Sequence, residues 1–190
     1  ATTFLRGDNS WAASGGVTSD AQGNTVAGTN AGDSFTGTDA TYNTLFGKDA
    51  GTAINSGDYN TAFGFEALKA NTTGYRNTAI GNSALTANTT AYYNTAIGQW
   101  PLAANTEGHS NVAIGYSAMQ YNTTGDANIG IGYQALQDNT EGNYNTAVGH
   151  QSLKDNTTGI QNTATGYTAL YVNTTGQNNT AFGRAALYPN

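Results

Sequence analysis

Residues 77–93 read NTAIGNSALTANTTAYY, and the next seventeen, 94–110, read NTAIGQWPLAANTEGHS. The opening phrase, or a near copy of it, begins at 43, 60, 77, 94, 111, 128, 145, 162 and 179, always 17 residues apart. Position 1 of this unit is always Asn: Asn43, Asn60, Asn77, Asn94, Asn111, Asn128, Asn145, Asn162 and Asn179. Position 5 is always Gly, from Gly47 to Gly183, and position 15 is Gly in every full copy but one, where Ala91 stands. A fixed length without insertions gives every copy the same geometric slot in a repeating fold.

Within the unit, positions 1–5 alternate. Position 2 is Thr, Val112 or Ile129; position 4 is Phe46, Phe63, Ile80, Ile97, Ile114, Ile131, Val148, Thr165 or Phe182. Positions 3 and 5 are small. Period-two alternation of bulky and small residues predicts a short strand with one bulky face and one nearly bare face. Gly, Asn and Thr are poor helix formers, and 17 residues are too few for a helical hairpin repeat. The expected fold is all-β: a β-solenoid, or β-roll, with one coil per unit and one or two short strands per coil. Coils stacked at about 4.8 Å make nine of them a rod of about 45 Å.

Corner chemistry fits the same picture. Stacked Asn side chains at position 1 predict a structural ladder of amides along the rod. Asn-Thr-Thr-Gly at positions 12–15 reads as a corner, with Gly supplying positive φ. Pro101 at position 8 has no N–H to give a ladder, which sets that position at or beside a corner. Positions 4 and 9 are expected to point inward. The small residues at positions 3 and 5 are then free to meet another backbone, which predicts a parallel homotrimer.

Three segments follow. Residues 43–190 hold eight full coils and a partial ninth. Residues 24–42 are a divergent first coil that aligns with 43–59 once Thr36-Gly37 is set aside as an insertion. These two early copies carry Gly at position 9, and Phe35 and Ile54 at position 12 are expected to fill the same core volume. Leu45 breaks the small-residue rule at position 3, so packing in that coil must differ. Residues 1–23, with AASGG at 12–16, read as a leader or linker.

Composition bounds the function. Only 9% of the 190 residues are charged, the net charge is −6, and six Lys and Arg are thinly spread. That argues against a nucleic-acid groove. No apolar run approaches the roughly 20 residues of a membrane span. There is no Cys, so no disulfide or thiolate site. The two His, His109 and His150, fall at different repeat positions, 16 and 6. No nucleophile elbow or Ser/His/Asp set appears. Glu66, Glu107, Glu141, Asp138 and Asp155 are scattered, and Glu107 and Glu141 share position 14 two coils apart, too loosely for a glycosidase pair. The expectation is no catalytic residue, no metal and no cofactor. Arg-Gly-Asp at 6–8 reads as a chance triplet. Asn-Thr-Thr creates glycosylation sequons at Asn71, Asn88, Asn122, Asn156 and Asn173.

The twelve Tyr are the surface feature of interest. Tyr75, Tyr92, Tyr93, Tyr116, Tyr133, Tyr144 and Tyr167 collect at positions 6, 16 and 17. They read as corner packing or as a strip that contacts a saccharide, since Tyr has an apolar ring and a polar tip.

Two resemblances rest on these residues. SNVAIGYSAM (110–119) resembles the head repeats of trimeric autotransporter adhesins, whose units are shorter. That resemblance implies a trimeric β-roll. ATTFLRGDNSWAA (1–13), with the 17-residue repeat behind it, is similar to the tail fibres of bacteriophages, cyanophage-like viruses in particular. It implies a non-enzymatic structural protein, the shaft segment of a viral tail fibre used in host attachment and located in the virion, with itself and a host-surface saccharide as partners. A bacterial surface adhesin or extracellular filament is the alternative. An ice-binding solenoid is a third reading, from the Thr columns at positions 2, 13 and 14. Val112 and Ile129 at position 2 suggest an inward face, and Glu107 and Glu141 interrupt position 14. The start without Met and the stop within a coil lead us to expect a longer natural chain, with an anchor before Ala1 and more shaft or a tip after Asn190.

Overall fold

A computed structural model describes residues 17–35 and 39–188. The Arg-Gly-Asp triplet, the AASGG stretch and the Thr36-Gly37 insertion lie outside the described residues. Eleven short strands form one sheet in sequence order, and the described residues include no helix. Strand β1 is Thr18–Ser19 and β2 is Thr25–Ala27; β3 is Thr44–Phe46, and the series continues one strand per coil to β11, Thr180–Phe182. From β2 onward every neighbouring pair is parallel and in register: Thr95 lies beside Val112, Ala96 beside Ala113 and Ile97 beside Ile114. Thr25 pairs with Thr44, a 19-residue step, so the divergent copy is a true coil that carries its extra length between strands. The fold is the β-solenoid that the period predicts.

The interior differs from expectation in its parity. Position 3 points inward: Ala62, Ala79, Ala96, Ala113, Ala147 and Ala164 are fully buried. Position 9 is also inward, and Leu68, Leu85, Leu102, Met119, Leu136, Leu153 and Leu170 are fully buried. Position 4 faces out, with Phe63 57% exposed, Ile80 37% and Phe182 84%; Ile97 is half-buried. Successive strand side chains point to opposite faces, so burying the Asn of position 1 and the Ala of position 3 puts positions 2 and 4 outside. The reason lies in volume. In a coil this small, Leu at position 9 and the Asn side chains of positions 1 and 12 fill the interior and leave room only for Ala at position 3.

Compensating exchanges show how tight that space is. In the coil from 43, position 9 is Gly51, and a Cβ there would sit 2.8 Å from Leu45 Cδ1 and 2.9 Å from Ile54 Cδ1. Leu45 and Ile54, both fully buried, replace the missing leucine. In the coil before it, Val26 and Phe35 stand over Gly32 in the same way. Gly130 is the only glycine at position 3, and a Cβ there would meet Met119 Cγ at 2.9 Å. Large-to-small exchange between facing positions keeps native packing density.

Two Asn ladders line the interior. At position 1, the backbone N–H of Asn128 donates to Asn111 Oδ1 at 2.9 Å, and its Nδ2 donates to the Gly142 carbonyl at 2.7 Å. The same pattern joins Asn24 to Asn43 and runs on to Asn179. The second ladder stands at position 12, where the sequence alone reads only as a corner. It runs from Asn71 to Asn173: Asn122 Nδ2 donates to Asn105 Oδ1 at 2.7 Å and to the Gly125 carbonyl at 3.0 Å. Both ladders therefore converge on the position-15 carbonyl of each coil. Buried amides are tolerable here because their donors and acceptors are matched.

The Asn-Thr-Thr-Gly corner hangs from one oxygen per coil. The Thr140 carbonyl accepts the N–H groups of Thr123, Thr124 and Gly125 at 2.9, 3.2 and 3.3 Å, and the Thr123 hydroxyl at 3.0 Å. Gly at position 15 does not have positive φ, contrary to expectation. It is small because the Asn ladder is close: a Cβ on Gly125 would lie 2.5 Å from Asn122 Oδ1. Positive φ falls instead at positions 5, 7, 9 and 17, as in Gly115 (133°), Ser117 (52°), Met119 (51°) and Ala127 (55°). The alternation turns successive N–H groups to opposite neighbours. Glu66 N–H donates back to the Lys48 carbonyl and Leu68 N–H forward to the Ala84 carbonyl, both at 3.0 Å. Each left-handed non-Gly residue costs about 1–3 kcal/mol, offset in part by the bond its N–H makes to a neighbouring coil, the previous one at positions 7 and 17 and the next one at position 9. Pro101 at position 8 loses only a weak bond within its own coil, the one that Ala118 makes to the Gly115 carbonyl at 3.5 Å.

Part of the leader belongs to the fold. Thr18 and Ser19 pair antiparallel with Val26 and Thr25, so a hairpin covers the first edge of the parallel stack. Asp20 starts the position-1 ladder, its carboxylate accepting Asn24 N–H at 2.8 Å and Asn24 Nδ2 at 2.9 Å.

Candidate functional surface

Repetition turns each outward position into a column along the rod. Aromatic rings one coil apart then stack at ring spacings near the strand spacing. At position 6, Tyr116, Tyr133, His150 and Tyr167 stack with centroids 5.2, 4.9 and 4.9 Å apart and planes within 14°. Trp100 meets Tyr116 edge-on, and the Arg184 guanidinium lies 5.7 Å from the Tyr167 centroid. At position 16, Tyr75, Tyr92 and His109 stack at 5.0 and 4.7 Å, with Tyr93 edge-on to both tyrosines. At position 17, Tyr42 stacks on Tyr59, and Arg76 lies between Tyr59 and Tyr93, 5.7 and 5.4 Å from their centroids.

The structure thus gathers six of the seven tyrosines singled out in the sequence into two columns, Tyr75, Tyr92 and Tyr93 in one and Tyr116, Tyr133 and Tyr167 in the other. Tyr144 stands exposed, with no aromatic neighbour stacked on it among the described residues. Stacking has a chemical consequence. The ring faces that take a sugar's apolar side are turned to each other, so the columns offer ring edges and hydroxyls to a ligand. His109 and His150 complete the columns. From sequence alone both stand apart as isolated residues; the signal that could have found them is that they sit at the same repeat positions as the tyrosines.

The polar groups make local pairs. His109 Nε2 lies 3.3 Å from Asp126 Oδ2, and the His109 N–H donates to Asp126 Oδ1 at 2.7 Å. Lys154 bridges Asp155 at 3.0 Å and Asp138 at 3.1 Å. Its partial burial opposes the charge, but hydrogen bonds to Asp155 and Asp138 outweigh that and raise the ammonium pKa above its ordinary value. Glu66 pairs with Lys69 at 2.7 Å. Glu107 and Glu141 are exposed and stand apart. Among the described residues no three His, Cys, Asp or Glu gather as a metal site. A shallow groove of about 330 Å³ runs between Tyr167 and Arg184 on one side and Tyr171 and Tyr188 on the other.

The sequon asparagines Asn71, Asn88, Asn122 and Asn156 are fully buried ladder members, and Asn173 is 7% exposed. In the folded rod their amide nitrogens are occupied. Among the described residues no helix is long and apolar enough to cross a membrane. Compared with family models, curated proteins and solved structures, the chain matches none.

Proposed function

We propose that this chain is a non-enzymatic structural protein, a shaft segment of a viral tail fibre that assembles as a homotrimer and serves in host attachment within the virion. The observation that supports this reading is the unbroken ladder from β2 to β11. Ten coils repeat without a break in register, and the chemistry of the interior is spent on joining one coil to the next. Such a stack supplies length and stiffness. A host-surface saccharide is the proposed ligand, met through the hydroxyl edges of the Tyr columns.

Immuno-gold labelling of purified virions with antibody to this chain tests the assignment. Label on tail fibres is expected. Label confined to a bacterial surface would favour the alternative, an adhesin or extracellular filament with the same coil.

One observation reopens the ice-binding reading. Position 2 faces outward, so Thr61, Thr78 and Thr95 form one outer hydroxyl run and Thr146 and Thr163 another, parted by Val112 and Ile129. The neighbouring column, position 4, is mostly Ile, Phe and Val, and the position-13 hydroxyls donate to the next coil. Glu107 and Glu141 interrupt position 14 as well, so no outward hydroxyl row runs unbroken along the rod. A thermal-hysteresis assay is expected to read zero.

A further inference from the structure

The sequence assigns self-assembly to the Ala and Gly columns, and the structure puts position 3 inside the coil. Another face is open. Positions 2 and 4 of the coils from 43 to 179 are outward and hold only Thr, Val, Ile and Phe, with no charged residue. The molecule carries its Lys, Arg, Asp and Glu elsewhere, at positions 6, 7, 10, 11, 14, 16 and 17 of these coils. The centre is the most apolar part. Val112, Ile114, Ile129 and Ile131 adjoin one another, and Ile129 and Ile131 are 38% and 36% exposed.

We infer that copies of this chain meet through this outer face of the sheet, parallel and in register, with position 4 at the centre of the contact. The inference rests on the self-assembly in the proposed function and says which surface performs it. Three arguments favour a second copy as the occupant.

The first is area. Nine strands at about 4.8 Å, three residues wide at about 3.3 Å per residue, give an uncharged strip on the order of 400 Å² along the rod. That is about half of the roughly 800 Å² per partner of a stable interface, the share an apolar centre takes inside a polar rim. The second is charge. A chain of net charge −6 repels its own copies, and this face is where that repulsion has no local source. The third is period. The face repeats its side chains once per coil over its whole length, and a second copy offers the same repeat, so every coil makes the same contact. Parallel orientation follows from a shaft whose chains all run one way. It sets Phe63 of one copy level with Phe63 of the next.

The chain has no Cys, so single-cysteine variants of the full chain give clean cross-links. F63C and I114C are compared with E107C, an exposed position on the far corner, under mild oxidation, with sedimentation analysis of the unmodified chain alongside. We expect a multimer, self-cross-linking of F63C and I114C, and none of E107C. I114D should weaken association about 100-fold or more while keeping the β-type circular dichroism. A multimer in which F63C and I114C stay reduced, or in which E107C cross-links as readily, overturns the face and leaves self-assembly standing. Cross-linking of I114C without F63C overturns the parallel arrangement. A monomer at all concentrations overturns both the face and the self-assembly it rests on.

Discussion

Asn122 is a sensitive probe of the interior, because two substitutions there separate lost hydrogen bonds from added repulsion. N122A removes the Nδ2 bonds to Asn105 Oδ1 and the Gly125 carbonyl, and the acceptor for Asn139 Nδ2 at 2.8 Å. The Gly125 carbonyl keeps Asn111 Nδ2 at 2.8 Å, and Asn139 Nδ2 keeps the Gly142 carbonyl at 3.0 Å. Asn105 Oδ1 loses its amide donor and stays buried. One orphaned acceptor and one weakened donor predict a loss of about 2–4 kcal/mol. N122D keeps the shape but puts one carboxylate oxygen in the place of Nδ2, against two acceptors in a site without solvent, while the other still accepts from Asn139 Nδ2. Its loss at neutral pH should exceed that of N122A. Burial and facing oxygens raise the new carboxyl's folded pKa above its unfolded value of about 3.9. The folded state then binds the proton more tightly than the unfolded state. Stability of N122D should therefore fall as pH rises from about 4 to the raised folded pKa, and level off above it. Below that window the protonated acid can donate to Asn105 Oδ1, and N122D should become the more stable of the two. Urea unfolding followed by circular dichroism between about pH 3 and 8 measures this. Equal stability of N122A and N122D with no pH slope would falsify the buried-ladder account.

Three further outcomes are expected. L136A, at a fully buried position 9, should cost about 2–5 kcal/mol in urea unfolding, and L187A, at an exposed one, less than about 1 kcal/mol. G115A and G183A share positive φ, but a Cβ on Gly115 would lie 2.5 Å from the Gly132 carbonyl oxygen whereas one on Gly183 meets nothing within 4 Å. G115A should lower the thermal midpoint at least twice as much, and equal shifts would mean that backbone conformation rather than coil spacing sets the requirement for Gly. K154M should lose about 0.5–1 kcal/mol relative to wild type. Because the Lys154 pKa is raised, that difference should hold steady from pH 7 to 9 and disappear only as pH climbs past about 10.4 through the folded value. A difference that fades below pH 9 would contradict the paired geometry.

Much of the fold was legible because a strict period leaves one geometric solution. The fixed spacing of Asn43 to Asn179 and Gly47 to Gly183 announced stacked coils, and Leu68 to Leu170 at position 9 announced their core. The face of the strand was not legible. Alternation says that Ala96 and Ile97 point opposite ways but not which way is in, and hydrophobicity alone favoured Ile97. The deciding quantity was room inside the coil, set by Leu102 and the Asn pairs. The left-handed residues were equally hidden, since Ser117, Met119 and Ala127 carry no local sign of positive φ. Of the candidate surface, the columns could be read from repeat positions. Whether rings in a column stack or splay depends on side-chain directions that spacing does not give.

The start of the rod has a bearing on how the chain folds. Coils from 60 to 178 are so alike that a nascent rod slipped by one whole coil would recover nearly all its strand pairs. Repeats can nucleate at any coil and propagate to either side, so nothing in the middle of the chain fixes the count. The coils from 24 and 43 are different. Val26, Phe35, Leu45 and Ile54 fill the interior from positions 3 and 12 around Gly32 and Gly51. Their interiors differ from the later ones within each coil and not where coils meet, since Leu45 lies beside Ala62 of a coil that has Leu68 at position 9. What marks the start of the rod is the β1 hairpin, the one antiparallel pair among the described strands, which gives the stack an edge where parallel pairing stops. Every later coil is counted from that edge, as the first thread of a screw fixes the start of every turn after it.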